Sequence, residues 1–132
     1  MSAAIYLVTE KQTPGLPAID GKQLSNALDD LDFLAEKLNL EPLGSFVHIT
    51  SLDLEGTLGE TGVDLMDYMV PQNQWFEAEN LLETVFALRV HLERQRDAIA
   101  GGAMVLPDLK ALELALELCE TREIQVRLTI DI

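Results

Sequence analysis

The sequence predicts an α+β domain, or a small α/β domain, with two layers and the element order β-α-β-loop-α-α-β. Two patterns predict this class. Short segments at both ends and near residue 47 have the composition or the alternation of strands, whereas three longer segments repeat apolar residues every three or four positions, as helices do. The expected result is a small sheet of three or four strands packed by three helices, with residues 1–132 forming a single domain.

Residues 3–9, 45–50 and 124–132 are the predicted strands. The first is apolar on both faces, which favours a central position in the sheet. Since a helix separates the first two strands, we expect a right-handed crossover that makes them parallel neighbours. The last strand alternates apolar and polar residues and therefore has one face in the core. A fourth strand would come from residues 51–70 or from a second subunit.

Each predicted helix has a recognisable start or end. The first covers residues 20–39, with Asp20 as its N-cap and Gln23 completing a capping box. The second covers residues 73–98 and ends before two glycines. The third begins at Pro107 and runs to about residue 120, which places Asp108 in its first turn.

Composition excludes several classes of protein. The formal net charge is −14, yet 48% of the residues are hydrophobic, so the chain can build a core and is not expected to be disordered. Nucleic acid and anionic membranes are not expected partners, because binding them requires clustered Lys and Arg. No segment has the length and apolarity of a membrane span. Residues 1–10 lack a basic leader region, so we expect a cytoplasmic protein.

Nucleophilic and metal-binding residues are few. One cysteine excludes an internal disulfide, and we expect Cys119 to be a buried thiol inside a helix. His91 is expected at the surface, and His48 is the better candidate for a site. No GxSxG, CxxC or glycine-rich phosphate loop accompanies either histidine. The sequence therefore identifies no catalytic residue, no metal site and no cofactor, and it favours binding over catalysis.

Acidic residues are segregated along the chain. Between Lys37 and Arg89 there is no Lys or Arg, whereas nine Asp and Glu residues lie there. Two interpretations stay open: a solvated acidic surface, or a docking surface for a basic protein partner. Within the long loop predicted over residues 51–74, the candidate binding residues are Asp53, Glu55, Glu60, Asp64 and Asp67. An EF-hand calcium site does not fit, because Leu58 occupies the position that requires glycine.

Arginines follow the apolar stripe of the second predicted helix. Trp75, Arg89 and Arg96 recur at multiples of seven residues. Each arginine either forms an internal salt bridge or clamps a substrate carboxylate. The second reading leads to an alternative function, a small-ligand binder or enzyme whose site lies between the 51–74 loop and the Trp75 helix and uses Arg89, Arg96 or His48.

The third helix is apolar over a wide arc. From Leu109 to Cys119 the apolar residues span about 220° of the helix surface, which is more than one sheet face covers. Either the neighbouring helix buries the remainder, or a second subunit does, forming a homo-oligomer through this helix.

Three segments carry a resemblance to known sequences: IYLVTEKQTPGLPAIDG, QWFEAENLLETVFALRVHL and DLKALELALELCETREIQVRLTIDI. Together they resemble a group of small uncharacterised bacterial proteins. The resemblance implies a bacterial, intracellular, single-domain protein and assigns no role to any residue. From the negative charge and the missing catalytic motifs, we predict a small acidic, non-catalytic interaction or regulatory module that binds a basic partner.

Overall fold

The computed structural model describes residues 4–17, 19–49 and 75–131, and these described residues form three α-helices and short strands. The α+β class is confirmed, and the structure is mostly helical. In chain order the elements are β1 (Ala4–Thr9), α1 (Lys22–Lys37), a 3-10 turn (Leu43–Phe46), β2 (Val47–Ile49), α2 (Ala78–Arg94), a second 3-10 turn (Arg96–Ala98), α3 (Gly102–Thr121) and β3 (Val126–Asp131).

The order of strands is β1-β3-β2, so the last strand lies in the middle. β1 pairs antiparallel with β3 from Ala4 opposite Asp131 to Thr9 opposite Val126. β2 pairs parallel with β3, with Val47 opposite Leu128. The prediction of a central first strand was therefore wrong, and so was that of a parallel β1–β2 pair. β3 uses both of its edges, so among the described strands β1 lies at an edge of the sheet, where the Tyr6 side chain is exposed.

The start of α1 also differs from the prediction. Asp20 makes no capping hydrogen bond; the N-cap is Gly21, whose φ of 77° lies in the left-handed region. The carbonyl oxygen of Gly21 accepts hydrogen bonds from Ile5 at 3.0 Å and from Ser25 at 3.1 Å. A Cβ atom at position 21 would overlap the carbonyl oxygen of Ile5, so only glycine lets the chain pass this close to β1.

Both later helices have different limits from those predicted. α2 covers Ala78–Arg94, which excludes Trp75 and Arg96 from the helix. α3 begins at Gly102, and Pro107 lies inside it instead of opening it. Gly101, with a φ of 74°, turns the chain into α3 five residues earlier than the proline signal indicated. Sequence periodicity continues across both ends of α2, but the helix itself begins at Ala78 and ends at Arg94.

The core lies between the helices and one face of the sheet. α3 is its centre, because Leu109, Leu112 and Leu116 are fully buried and α3 packs against both α1 and α2. Ile5, Val126 and Leu128 are fully buried residues of the sheet. α2 makes the most extensive helix contact with α3 and covers much of its apolar arc. In the part of the chain that the structure describes, no helix is long and apolar enough to cross a membrane.

Candidate functional site

All five binding residues predicted in the long loop lie outside the described residues. They are Asp53, Glu55, Glu60, Asp64 and Asp67. His48 belongs to β2, opposite Thr129 of β3, but its side chain also lies outside the described part. Trp75 precedes α2, and its ring lies 4.4 Å from the guanidinium carbon of Arg127 in β3. Trp75 therefore contacts the sheet and does not share a helix face with the arginines.

Arg89 is engaged in an ion pair between α2 and α3. Its guanidinium donates to the Glu113 carboxylate over 2.9, 3.0 and 3.1 Å and lies 3.4 Å from Glu93. The hydrogen bond that Arg89 donates to the Glu113 carboxylate raises the pKa of Arg89 above its ordinary value. Of the two alternatives for this arginine, an internal salt bridge or a clamp for a substrate carboxylate, the structure shows the salt bridge. The guanidinium nitrogens of Arg89 are occupied by a carboxylate of the protein itself.

Arg96 does not join Arg89 in a common site. It is exposed in the 3-10 turn Arg96–Ala98, beyond the end of α2. The spacing of seven residues assumed one continuous helix over Trp75, Arg89 and Arg96, and that helix is too short to include the first and the last. The structure therefore does not bring the three side chains together.

Five glutamates line one groove at the end of the sheet, which we call the acidic groove. They come from the end of β1, the start of α2 and the end of α3, and they are Glu10, Glu77, Glu79, Glu120 and Glu123. The groove has a volume of about 520 Å³ and a floor that includes Cys119, Ile124 and Gln125. Among the residues that the structure describes, no Lys or Arg lines it.

Gln125 orients two of these carboxylates. Its side-chain amide donates to Glu77 Oε1 at 2.9 Å, and its backbone nitrogen donates to Glu10 Oε1 at 3.0 Å. The backbone nitrogen of Glu10 donates in turn to the carbonyl of Gln125 at 3.0 Å. Two glutamates from different segments are thus fixed at one point of the groove by the residue that precedes β3.

Helix dipoles act differently on the two walls. Glu77 and Glu79 lie at the N-terminus of α2, where negative charge is favourable. Glu120 and Glu123 lie at the C-terminus of α3, where it is unfavourable, and the last turn of that helix contains no basic residue. The cation between them in sequence, Arg122, donates to the carbonyl of Pro14 at 2.9 Å. The negative charges of Glu120 and Glu123 therefore do not serve to stabilise the end of α3.

Metal binding receives no support in the described residues, since no group of three or more His, Cys, Asp or Glu side chains there could hold an ion. Cys119 is fully buried, as predicted, and burial raises the pKa of its thiol. A buried thiol of this kind is a poor nucleophile.

Two carboxylates elsewhere, that of the half-buried Asp32 and that of the buried Asp108, accept hydrogen bonds from backbone nitrogens. Asp32 accepts hydrogen bonds from the backbone nitrogens of Leu43 at 2.8 Å and Gly44 at 3.2 Å. Asp108 accepts one from Leu24 at 3.3 Å. Burial raises the pKa of both carboxyl groups. Their shifted pKa values are thus accounted for by structural roles.

A second cleft, of about 380 Å³, borders the start of α2. Asn39, Ser45, Asn80 and Thr84 line it together with the edge-to-face pair of Phe46 and Phe76, whose ring centroids are 4.9 Å apart. It borders Phe76, which follows Trp75 in the sequence. However, neither Arg89 nor Arg96 is among the described residues that line it, so these two polar groups of the alternative do not converge here.

Sequence reasoning missed Glu10, Glu120 and Glu123 as possible members of a site, because they come from segments that only the fold brings together. One signal was available: Glu117, Glu120 and Glu123 give the end of α3 a negative charge excess around Cys119. No family model, no curated protein and no solved structure matches this chain. The fold and the groove therefore define the class, an α+β protein with a glutamate-lined groove.

Proposed function

We propose that this protein is a non-catalytic interaction module that binds a basic segment of a partner protein in the acidic groove. The observation that carries the proposal is the convergence of five glutamates from three separate segments on one groove whose described lining contains no Lys or Arg. On the sequence and its resemblance, we propose the bacterial cytoplasm as its setting and regulation of the basic partner as its role.

Electrostatics favours a cationic occupant. Carboxylates that share a groove repel one another, and a groove concentrates the field of its wall charges. A bound Lys or Arg side chain would relieve this repulsion between carboxylates. It would also relieve the repulsion between Glu120 and the negative C-terminal end of the α3 dipole. The net charge of −14 would in addition accelerate the encounter with a basic protein and exclude acidic ones.

The acidic residues of the 51–74 loop belong to the same hypothesis. They add five negative charges and no positive charge to the chain just before Trp75. We propose that Asp53, Glu55, Glu60, Asp64 and Asp67 provide a second contact for the same partner. The groove and the loop are separable in experiment, because each can be neutralised without changing the other.

Binding of a lysine-rich peptide, followed by calorimetry, tests the groove. We expect the affinity to fall steeply as ionic strength rises from about 0.01 to 0.15 M, where the Debye length shrinks from about 30 to 8 Å. Glu120→Gln combined with Glu123→Gln is expected to weaken binding at least about tenfold at the lower ionic strength, which corresponds to about 1.4 kcal/mol.

The matched control removes the same charge elsewhere. Asp30→Asn combined with Glu36→Gln changes two exposed carboxyl groups on α1 that do not line the groove. If the groove is the site, this control keeps most of the affinity of the unmodified protein. Equal losses in the two double variants would mean that only net charge matters and would refute a defined groove site, and binding insensitive to salt would refute the basic-partner proposal.

A further inference from the structure

We infer that the outer face of α3 is a self-association surface that binds a second copy of this chain as an antiparallel, two-fold helix pair. This surface is distinct from the acidic groove. It is defined by five residues on one side of α3, Met104, Pro107, Ala111, Leu114 and Leu118, and we call it the outer stripe.

The outer stripe has the spacing of a helix seam. Its members follow one another at intervals of three, four, three and four residues, and at about 100° per residue they fall within an arc of about 80°. Met104 is 61% exposed and Leu114 is 57% exposed, while Ala111 and Leu118 are half-buried. A heptad pattern of this kind is typical of a helix that packs against another helix.

The stripe is not the part of α3 that faces the core. Leu109, Leu112 and Leu116 are fully buried and lie on the opposite side of the helix. α3 therefore has two apolar faces, and in the part of the chain that the structure describes only one of them is buried. Single exposed apolar residues are ordinary on a protein surface, but an aligned set on one helix marks an interface.

Charges beside the stripe identify a second copy as the occupant. Lys110 and Glu117 are both exposed and lie seven residues apart on the same flank of the stripe. When two such helices run antiparallel, residues on this flank face each other. Pairing Ala111 with Leu114 of the second copy places Lys110 beside Glu117 of that copy, and the two-fold axis repeats the ion pair. A parallel arrangement would instead place Lys110 beside Ala115.

Lys110 is available for this contact. Its ammonium lies 3.4 Å from Glu93 Oε1, but its side chain is 56% exposed, so the Glu93 contact leaves most of it in solvent. Next to the stripe, a shallow depression lined by Tyr6, Leu16, Pro17, Ile19 and Ala115 extends the apolar surface beyond the helix.

The size of the stripe predicts a weak dimer. From Met104 to Leu118 the helix rises by about 21 Å, at about 1.5 Å per residue. One helix pair of that length buries less than the roughly 800 Å² per partner of a standard stable interface. We therefore expect an equilibrium between monomer and dimer that depends on protein concentration.

Sedimentation equilibrium of the full chain tests the inference. The apparent mass is expected to rise with concentration from 14.6 kDa towards twice that value. Leu114→Glu should weaken self-association at least tenfold, because the substituted side chain occurs twice in the interface. Phe33→Glu is the matched control, since Phe33 is 60% exposed on α1 and outside the stripe, and it should leave the dissociation constant unchanged.

Charge reversal tests the antiparallel register. Lys110→Glu alone and Glu117→Lys alone each place like charges opposite one another and should both weaken the dimer. A mixture of these two variants should form a heterodimer, because every Glu then faces a Lys. Circular dichroism shows whether Leu114→Glu folds. If it does not fold, the mixture of the two charge-reversal variants still tests the inference.

Two results would overturn the inference: a monomer at every concentration up to about 1 mM, beyond which an interface contributes little, or failure of the mixed charge-reversal variants to associate better than each alone. Neutralising the groove with Glu120→Gln and Glu123→Gln should not abolish self-association. Loss of peptide binding and loss of the dimer can therefore be observed separately.

Discussion

The carboxylate of Asp108, in α3, accepts a hydrogen bond from the backbone nitrogen of Leu24, in the first turn of α1, at 3.3 Å. Asp108 is only 6% exposed. The N-cap of α1 is Gly21, which has no side chain to accept the free N–H groups of that turn. A residue 84 positions away thus caps α1 and ties it to the central helix of the core.

Replacement of Asp108 should separate the hydrogen bond from the charge. We expect Asp108→Ala to lower the free energy of unfolding by about 1–2 kcal/mol, because it leaves a buried N–H without an acceptor. Asp108→Asn retains a carbonyl oxygen as acceptor and should cost less. Urea unfolding of both variants measures the difference, and equal losses would contradict a capping role for the side-chain oxygen.

The pH dependence of stability reports on the same carboxyl group. Burial raises the pKa of Asp108 above its ordinary value of 3.8, so the folded protein binds this proton more tightly than the unfolded chain does. The resulting stabilisation is complete below pH 3.8 and is lost as the pH rises through the folded-state pKa. The unfolding free energy of the wild type minus that of Asp108→Asn should therefore increase as pH falls through this window. A difference that decreases would indicate a lowered pKa.

Close packing at Gly21 gives a comparison between two glycines. Both Gly21 and Gly101 have a positive φ, of 77° and 74°, but a Cβ atom would meet the backbone of Ile5 only at Gly21. We expect Gly101→Ala to cost about 1 kcal/mol from the backbone conformation alone. Gly21→Ala should cost clearly more, because β1 or α1 must move. Thermal unfolding of the two variants measures the difference. Similar losses of stability in both would show that β1 or α1 can move away from position 21 at little cost.

Local patterns predicted the elements better than their ends or partners. The apolar repeat of α1 and the alternation of β3 determine which side of each is buried, so both were predictable. The true caps were not, because Gly21 depends on close approach to Ile5, and Asp108 acts on a helix remote in sequence. Strand order was mispredicted for a related reason: the apolar faces of β1 do not distinguish an edge strand from a central one.

Site residues show the same limit. The acidic excess of the chain is visible in the sequence, but the convergence of Glu10 with Glu123 depends on the pairing of β1 with β3. Likewise, the pairing of Arg89 with Glu113 depends on how α2 packs against α3. Charge counts therefore predict the character of the surface, and only the fold specifies which charges are neutralised internally.

The ion pair of Arg89 with Glu113 should contribute measurably to stability. Both side chains are largely buried, with exposed fractions of 19% and 12%, and three hydrogen bonds join them. We expect Arg89→Ala to lower the free energy of unfolding by about 1–2 kcal/mol, between the values typical of exposed and buried charged pairs. Arg94→Ala, at the exposed end of α2, is the control and should change it by less than about 0.5 kcal/mol. Equal stability of wild type and Arg89→Ala would instead leave the arginine available for a ligand.

The rate of thiol labelling at Cys119 measures how often the end of α3 opens beside the acidic groove. The Cys119 side chain is fully buried, and burial raises the pKa of its thiol, so both access and the thiolate fraction are reduced. We expect an aromatic disulfide reagent to react with the native protein only at the rate at which the chain opens, and rapidly in urea. Thr121→Cys in a Cys119→Ala background is the control, because residue 121 is exposed two positions further along. It should react at once in the native state. If Cys119 reacts as fast as this control, the end of α3 opens readily, and the groove would not be the preorganised site that the partner-binding proposal requires.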